Sequence, residues 1–205
     1  AYSSGTPALG VGPGNVPAFI EKTADIKMAV SRIIAGKIFD NGVICASEQA
    51  VVVEREIYKE VKKEFINQGC YFVNEEEKLK MEKIIDTPYG SLNAKIVGKT
   101  ASQLADMAKI EVPEDTKIII AEETGVGKGY PFSREKLSPI LAFYVEDDWK
   151  KGCDKCIELL DYGGMGHTLG IHSNDKDIIM EFALRKPASR IIVNSPTTHG
   201  AIGAT

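Results

Sequence analysis

The feature that most constrains the fold is a regular alternation of short apolar runs with longer amphipathic segments along the chain. Residues 49–54 and 117–122 are rich in valine and isoleucine and have the length and composition of buried strands. The segments between such runs repeat apolar residues every three or four positions, as amphipathic helices do. This alternation predicts βαβ units, and therefore one α/β domain in which a mainly parallel sheet carries helices on both faces.

The individual elements follow from the same periodicity, with Thr23 and Asp25 as caps for the first helix and Asn41–Gly42 as its end. Strands are predicted at residues 16–20, 49–54, 70–73, 117–122, 139–146, 167–173 and 189–194. Helices are predicted to begin near residue 26 and residue 57 and to span residues 75–86, 101–110, 147–161 and 175–184.

Composition limits the classes of partner. The net charge of −4 does not favour a nucleic-acid partner. No stretch approaches the roughly 18 apolar residues of a membrane span, and no signal peptide opens the chain. Four cysteines in 205 residues do not form a disulfide scaffold, so a reducing, cytoplasmic setting is expected. The chain starts without methionine and stops in a glycine-rich stretch, and both ends are interpreted as cuts through a longer polypeptide.

Cys45 is the first candidate for chemistry. It lies in FDNGVICASEQ, residues 39–49, between an amphipathic helix and a valine-rich strand. A thiol in a short loop with a glycine and polar neighbours is placed for access, and an ionised thiol can attack a carbonyl carbon to form a covalent intermediate. The alternative is that Cys45 is only a small loop residue.

Other motifs are weaker. Cys153 and Cys156 could serve redox chemistry or half of a metal site, but zinc usually takes four ligands and there is no second CxxC. The alternative, which predicts no metal site, is that the pair lies on one face of a helix. The glycines of residues 9–17 could approach a nucleotide, although their spacing differs from GxGxxG. Residues 124–130 lack two required positions of a phosphate-binding P-loop.

His167 follows two glycines and precedes a predicted strand. Ligands of α/β sheets gather outside the carboxyl ends of strands, so a histidine in such a connection can be functional. The alternative is a histidine at the start of a strand with a satisfied hydrogen bond.

Together these stretches resemble one family. FDNGVICASEQ resembles the nucleophile motif of the coenzyme-A-acylating aldehyde dehydrogenases, in particular the aldehyde dehydrogenase half of bifunctional aldehyde–alcohol dehydrogenases. YSSGTPALGVGPGN, REKLSPILAFY, GGMGHT and SRIIVNSPTTHGAIG resemble further motifs of that family and occur in the family's order. The resemblance implies a three-layer α/β/α catalytic domain over residues 1–205, with most of the NAD-binding domain upstream of the chain.

The resemblance also implies roles for four residues. Cys45 matches the catalytic thiol, and His167 matches a histidine of the acylating branch, which makes it the second catalytic candidate. Glu135 matches the glutamate that holds the nicotinamide ribose, and Gly12 falls where the backbone approaches the nicotinamide. The implied cofactor is NAD, with coenzyme A as co-substrate and a short-chain aldehyde or acyl-CoA as substrate. The implied partners are the remainder of the parent chain and further copies in a homo-oligomer.

One departure from the wider superfamily bears on the reaction. Hydrolytic members carry a water-activating glutamate in an ELGG-type motif, and alignment through Pro17 places Val11 at that position. Valine cannot take a proton, whereas a thiol with a pKa near ~8.5 is already a few per cent ionised at neutral pH. The resemblance therefore favours transfer of the acyl group to coenzyme A.

The expected protein is an NAD-dependent acetaldehyde dehydrogenase (acetylating), an oxidoreductase of fermentative alcohol metabolism, with the chain inactive by itself. Two alternatives stay open: a hydrolytic aldehyde dehydrogenase, and a non-catalytic assembly module of a bifunctional enzyme.

Overall fold

Seven parallel strands form the middle layer of the molecule in a computed structural model that describes residues 2–7, 13–185 and 187–204. The order across the sheet is β3-β4-β5-β2-β1-β6-β7, so the chain starts near the centre and builds outward on both sides. The strands are β1 (Val16–Ile20), β2 (Glu48–Glu54), β3 (Cys70–Phe72), β4 (Ile118–Glu122), β5 (Ile140–Glu146), β6 (Gly166–His172) and β7 (Ala188–Val193).

Helices cover both faces of this sheet. α1, α2 and α7 lie on one side, and the other four pack on the opposite side. The helices are α1 (Ile26–Ile38), α2 (Tyr58–Asn67), α3 (Glu75–Ile85), α4 (Ala101–Ala108), α5 (Trp149–Gly163), α6 (Lys176–Arg185) and α7 (Thr197–Ile202). The all-parallel sheet and its two helical layers confirm the predicted three-layer α/β/α class.

Alternating side chains divide the interior into two cores. Phe19 of β1 points towards α5 and α6, where it stacks on Phe182 with ring centroids 4.8 Å apart. Its neighbour Ile20 points to the opposite core, beneath α1 and α2. Successive strand residues face opposite sides of a sheet, so a strand covered on both faces must be apolar at every position. This explains the consecutive valines of β2.

The beginning and end of α1 differ from the sequence-based prediction. Asp25 caps the helix by accepting the Met28 N–H at 3.0 Å, as expected. Thr23 does not cap it: its hydroxyl instead accepts the N–H of Asn174, 2.9 Å away. The helix ends at Ile38, earlier than predicted, because a short 3-10 segment follows in which Asp40 and Asn41 take left-handed backbone angles.

The pair Cys153 and Cys156 lies on the buried face of α5, which confirms the helix-face interpretation. Within the described ranges, no group of three or more His, Cys, Asp or Glu side chains is arranged to hold a metal ion. Among the helices that the structure describes, none combines the length and apolar character that crossing a lipid bilayer requires.

Candidate functional site

Three of the four predicted site residues, Cys45, Glu135 and His167, lie at the amino edge of the sheet. Cys45 precedes β2, Glu135 precedes β5, and His167 is the second residue of β6. Gly12 lies ahead of β1 but outside the described residues, as does Val11. All strands run parallel, so their starts meet at one edge, and the order β5-β2-β1-β6 aligns Glu135, Cys45, Gly14 and His167 in that sequence.

This location corrects the expectation that placed His167 with the carboxyl ends of the strands. The glycine-rich connection before His167 enters β6 rather than leaving a strand, so the histidine belongs to the opposite edge. The carboxyl-end rule describes the commonest ligand position in open α/β sheets. Here the residues resembling a catalytic motif lie at the other end.

The Cys45 loop is a turn that exposes its thiol. The Ser47 N–H donates to the Ile44 carbonyl at 2.8 Å, and the Ser47 hydroxyl donates to the Gly42 carbonyl at 3.1 Å. Gly42 has a φ of 75°, which favours glycine and allows the chain to reverse before the cysteine. Cys45 is exposed. Cys70, by contrast, is buried, and its burial raises the pKa of that thiol to about 12.

Gly14 lies between the Cys45 loop and the segment that contains Glu135. Its N–H donates to Glu135 Oε1 at 3.2 Å. A Cβ at this position would lie 2.5 Å from the Cys45 carbonyl oxygen, so only glycine permits the observed approach. Burial raises the pKa of the Glu135 carboxyl, and the Gly14 hydrogen bond acts in the opposite direction. Gly14 lies in the glycine-rich stretch of residues 9–17, but no role was predicted for it.

Beneath the Cys45 loop lies a layer of buried polar residues that was not predicted from the sequence. Lys37, Glu48, Gln49 and Lys136 each have no exposed surface. The Lys37 ammonium donates to Gln49 Oε1 at 3.1 Å. One signal was available in the sequence, because Lys37 continues the three- and four-residue spacing of Ile33 and Ile34 and therefore lies on the core face of α1.

Burial shifts the pKa values of Lys37 and Glu48 in this layer. It lowers the pKa of Lys37 to about 7, against the attraction of Glu48 and Glu135. It raises the pKa of Glu48 to about 7, although hydrogen bonds from Thr197 oppose the shift. The Thr197 N–H donates to Glu48 Oε1 at 2.9 Å, and the Thr197 hydroxyl donates to the Ala46 carbonyl at 2.6 Å. The first residue of α7 therefore holds Ala46, the residue that follows Cys45, through a hydrogen bond.

His167 is half-buried, and its Nδ1 lies 3.1 Å from the Thr168 hydroxyl. Burial lowers its pKa, and the nearby Arg190 lowers it further, so the ring favours its neutral form. One strand, β1, separates β2 from β6, which corresponds to about 10 Å between the two strand starts. The structure thus places Gly14 between the Cys45 backbone and the Glu135 carboxylate, and places His167 farther along the same edge.

A cavity of about 300 Å³ adjoins Glu135. This volume is at the low end for small-molecule sites and suits one part of a nucleotide. Arg134 lines it and is held by Asp86 at 2.6 Å. The remaining lining residues are Pro13, Leu92, Tyr162 and Gly163. A larger cavity of about 520 Å³ lies near the carboxyl ends of β2, β4 and β5, on the edge away from the thiol.

Comparison with known proteins places these features in a family context. Residues 6–133 match the aldehyde dehydrogenase family. The chain is 48% identical over 206 residues to an aldehyde-alcohol dehydrogenase of Clostridium acetobutylicum, an alignment that covers 99% of this chain and 24% of that protein. The chain therefore spans about a quarter of the length of this curated relative.

Solved structures show the same fold. An acetylating aldehyde dehydrogenase from Geobacillus thermoglucosidasius has a TM-score of 0.96 and 55% identity, covering 100% of this chain and 45% of its own. A propionaldehyde dehydrogenase from Rhodopseudomonas palustris, solved with bound CoA and an acylated cysteine, has a TM-score of 0.89 and 27% identity. That match covers 99% of this chain and 45% of the other.

Proposed function

The chain belongs to the aldehyde dehydrogenase family, and from that membership we propose that it is the catalytic domain of an NAD-dependent acylating enzyme. The reaction interconverts a short-chain aldehyde plus coenzyme A, with acetaldehyde as the leading substrate, and the corresponding acyl-CoA. The observation that carries this proposal is an exposed Cys45 in a loop that packs on Gly14 next to Glu135.

Cys45 is the proposed nucleophile. Its thiolate adds to the aldehyde carbon and forms the oxyanion of a thiohemiacetal, and loss of hydride from that carbon leaves a neutral thioester on Cys45. The thiolate of coenzyme A then attacks the thioester carbonyl, and the Cys45 sulfur departs as thiolate with the electron pair of the broken bond. In the opposite direction, acyl-CoA acylates Cys45 before hydride is delivered.

Glu135 is the proposed ligand of the nicotinamide ribose. A carboxylate accepts hydrogen bonds from ribose hydroxyls, and Glu135 lines a cavity of a size that suits part of a nucleotide. The close approach of Gly14 keeps this carboxylate beside the thiol loop. Gly12 is proposed to let the backbone approach the nicotinamide. Bound NAD⁺ supplies the hydride acceptor, and binding, orientation and nucleophilic attack fall to the chain.

The proposed fate of the thioester is transfer to coenzyme A. Val11 occupies the position at which hydrolytic relatives carry a water-activating glutamate, and valine cannot take a proton. The solved relative with bound CoA and an acylated cysteine supports the same choice. His167 is the proposed second catalytic residue, because an imidazole that favours its neutral form can accept the proton of an incoming thiol.

Acyl transfer from acetyl-CoA to the chain tests this function directly. We expect mass spectrometry to find one acetyl group on Cys45, with release of coenzyme A. The Cys45→Ser variant should not form a thioester, whereas the matched Cys70→Ser variant, which alters a buried thiol, should be acetylated at Cys45 like the wild type. No NAD is required for this half-reaction, so the experiment does not depend on a dinucleotide-binding domain.

Two outcomes would overturn the proposal. Hydrolysis of acyl groups from Cys45 at the same rate with and without coenzyme A would favour a hydrolytic enzyme. Failure of acetyl-CoA to modify Cys45, with iodoacetamide alkylating all four cysteines at equal, slow rates, would favour an assembly module.

We further propose that the chain does not by itself oxidise NADH with acetyl-CoA, since it spans only a quarter of its curated relative. Clear turnover would refute that part.

A further inference from the structure

Gln49 is buried directly behind the Cys45 loop, and its side-chain amide contacts three segments of the chain. Its Oε1 accepts the Lys37 ammonium of α1 at 3.1 Å and the Lys136 N–H at 3.0 Å. Its Nε2 donates to the carbonyl and to the hydroxyl oxygen of Ser47, each at 3.3 Å. One amide thus connects the end of α1, the thiol loop and the segment that carries Glu135.

All hydrogen-bonding capacity of this amide is used. A glutamine side chain offers two acceptor positions and two donor hydrogens, and each has a partner here. Buried donors and acceptors are costly when unpaired, so the arrangement favours one orientation of the amide. The Ser47 hydroxyl also donates to the Gly42 carbonyl, so Ser47 connects Gln49 to the start of the Cys45 loop.

Lys136 is held in place by three hydrogen bonds of its ammonium group. The Lys136 ammonium donates to the carbonyls of Gln49, Phe132 and Arg134 at 3.0, 2.6 and 2.6 Å. These bonds fix the backbone immediately before Glu135. The Gln49 main chain and side chain therefore both bind the same segment, while the side chain alone reaches Ser47.

We propose that Gln49 is a positioning residue that holds Cys45 and Glu135 in a fixed spatial relation. Cys45 lies two positions before Ser47, and Glu135 immediately precedes Lys136. The inference rests on the proposed function, in which hydride transfer requires the carbon on Cys45 to align with a nicotinamide held through Glu135. Small errors in such alignment reduce the rate of reaction strongly.

The Gln49→Glu variant separates this role from simple packing. Glutamate has nearly the same shape and keeps the acceptors for Lys37 and Lys136. As a carboxylate it has no hydrogen to donate to Ser47, so it releases the Cys45 loop while keeping the acceptors of the other two contacts. Ser47→Ala weakens the same connection from the loop side. Tyr144→Phe is the matched control. It removes one hydrogen bond, from the Tyr144 hydroxyl to the Gly125 carbonyl at 3.0 Å, at a place away from the Cys45 loop.

Hydrogen exchange of the Ser47 amide, which donates to Ile44, measures the release of the loop. In Gln49→Glu and Ser47→Ala we expect this amide to exchange at least about tenfold faster than in the wild type, after correction for global stability. In Tyr144→Phe the corrected rate should be unchanged. Unchanged exchange of the Ser47 amide in both loop variants would overturn the inference.

Kinetics of the proposed parent enzyme, with its dinucleotide-binding domain and these substitutions, provide the second readout. We expect Gln49→Glu to lower kcat by about tenfold or more, with KM values for NADH and acetyl-CoA within about twofold of the wild type. A raised KM with unchanged kcat would show that Gln49 serves binding rather than positioning. If the wild-type chain is not acetylated on Cys45, the proposed function fails instead, and the exchange experiment still decides whether Gln49 fixes the loop.

Discussion

Buried polar side chains, taken one at a time, set much of the chemistry of this molecule. Lys37 and Glu48 lie behind the Cys45 loop, and burial lowers the pKa of Lys37 and raises the pKa of Glu48. His172, at the end of β6, is 1% exposed, and no described residue bonds to either ring nitrogen. Burial lowers the pKa of His172 to about 4, and Arg32 contributes in the same direction. Such groups make stability depend on pH as well as on packing.

The His172→Phe variant isolates that pH dependence. A histidine with a depressed folded-state pKa binds fewer protons than in the unfolded chain between pH 6.5 and 4, so the wild type loses stability as pH falls through this range. The variant lacks this loss. We expect its free energy of unfolding, relative to the wild type, to increase by about 2 kcal/mol between pH 8 and pH 5.

Urea unfolding at both pH values measures this change, and the difference at pH 8 serves as the control for packing. A difference between variant and wild type that is the same at pH 8 and pH 5 would contradict the expected shift.

Helix α5 shows how close packing governs a whole element. It crosses beneath the central strands, and Gly152 sits where the helix approaches Phe19 of β1. A Cβ on Gly152 would lie 2.3 Å from the Phe19 ring, which is itself stacked on Phe182 and cannot easily move. Near the other end of the same helix, a Cβ on Gly163 would meet nothing closer than 3.6 Å.

Paired alanine substitutions in α5 test this asymmetry. Gly152→Ala should lower the free energy of unfolding by about 1 to 3 kcal/mol, because the new methyl group overpacks the core. Gly163→Ala should leave it unchanged or raise it by up to about 1 kcal/mol, because alanine favours the helix. Denaturant titration compares both with the wild type. Equal effects at the two glycines would mean that helix propensity, not the Phe19 contact, controls the position.

At the scale of the whole molecule, one sheet connects two cores. Trp149, the single tryptophan, packs against the core beneath α3 to α6, whereas Cys70 is buried in the core beneath α1 and α2. Every central strand contributes side chains to both cores, so neither can open without disturbing the other. The fold should therefore unfold as one cooperative unit.

Two probes test that cooperativity. Trp149 fluorescence and the alkylation of Cys70 in brief pulses should give the same denaturant midpoint. A Cys45→Ser background keeps the exposed thiol from competing for the reagent. Separate midpoints would mean that one helical layer detaches before the other, contrary to the connected architecture.

The sequence by itself was sufficient for the α/β class, the order of the seven strands and of helices α1 to α6, the helix-face position of Cys153 and Cys156, and the loop position of Cys45, whereas α7 (Thr197–Ile202) was not predicted. These features depend on periodicity and turn residues, which are contacts between near neighbours. Only the tertiary structure decided that the site lies at the amino edge of the sheet, that Lys37 and Gln49 are buried behind the thiol loop, and that Gly14 meets Glu135. The last two residues are 121 positions apart, and the packing of the whole sheet, rather than any local preference, brings them together.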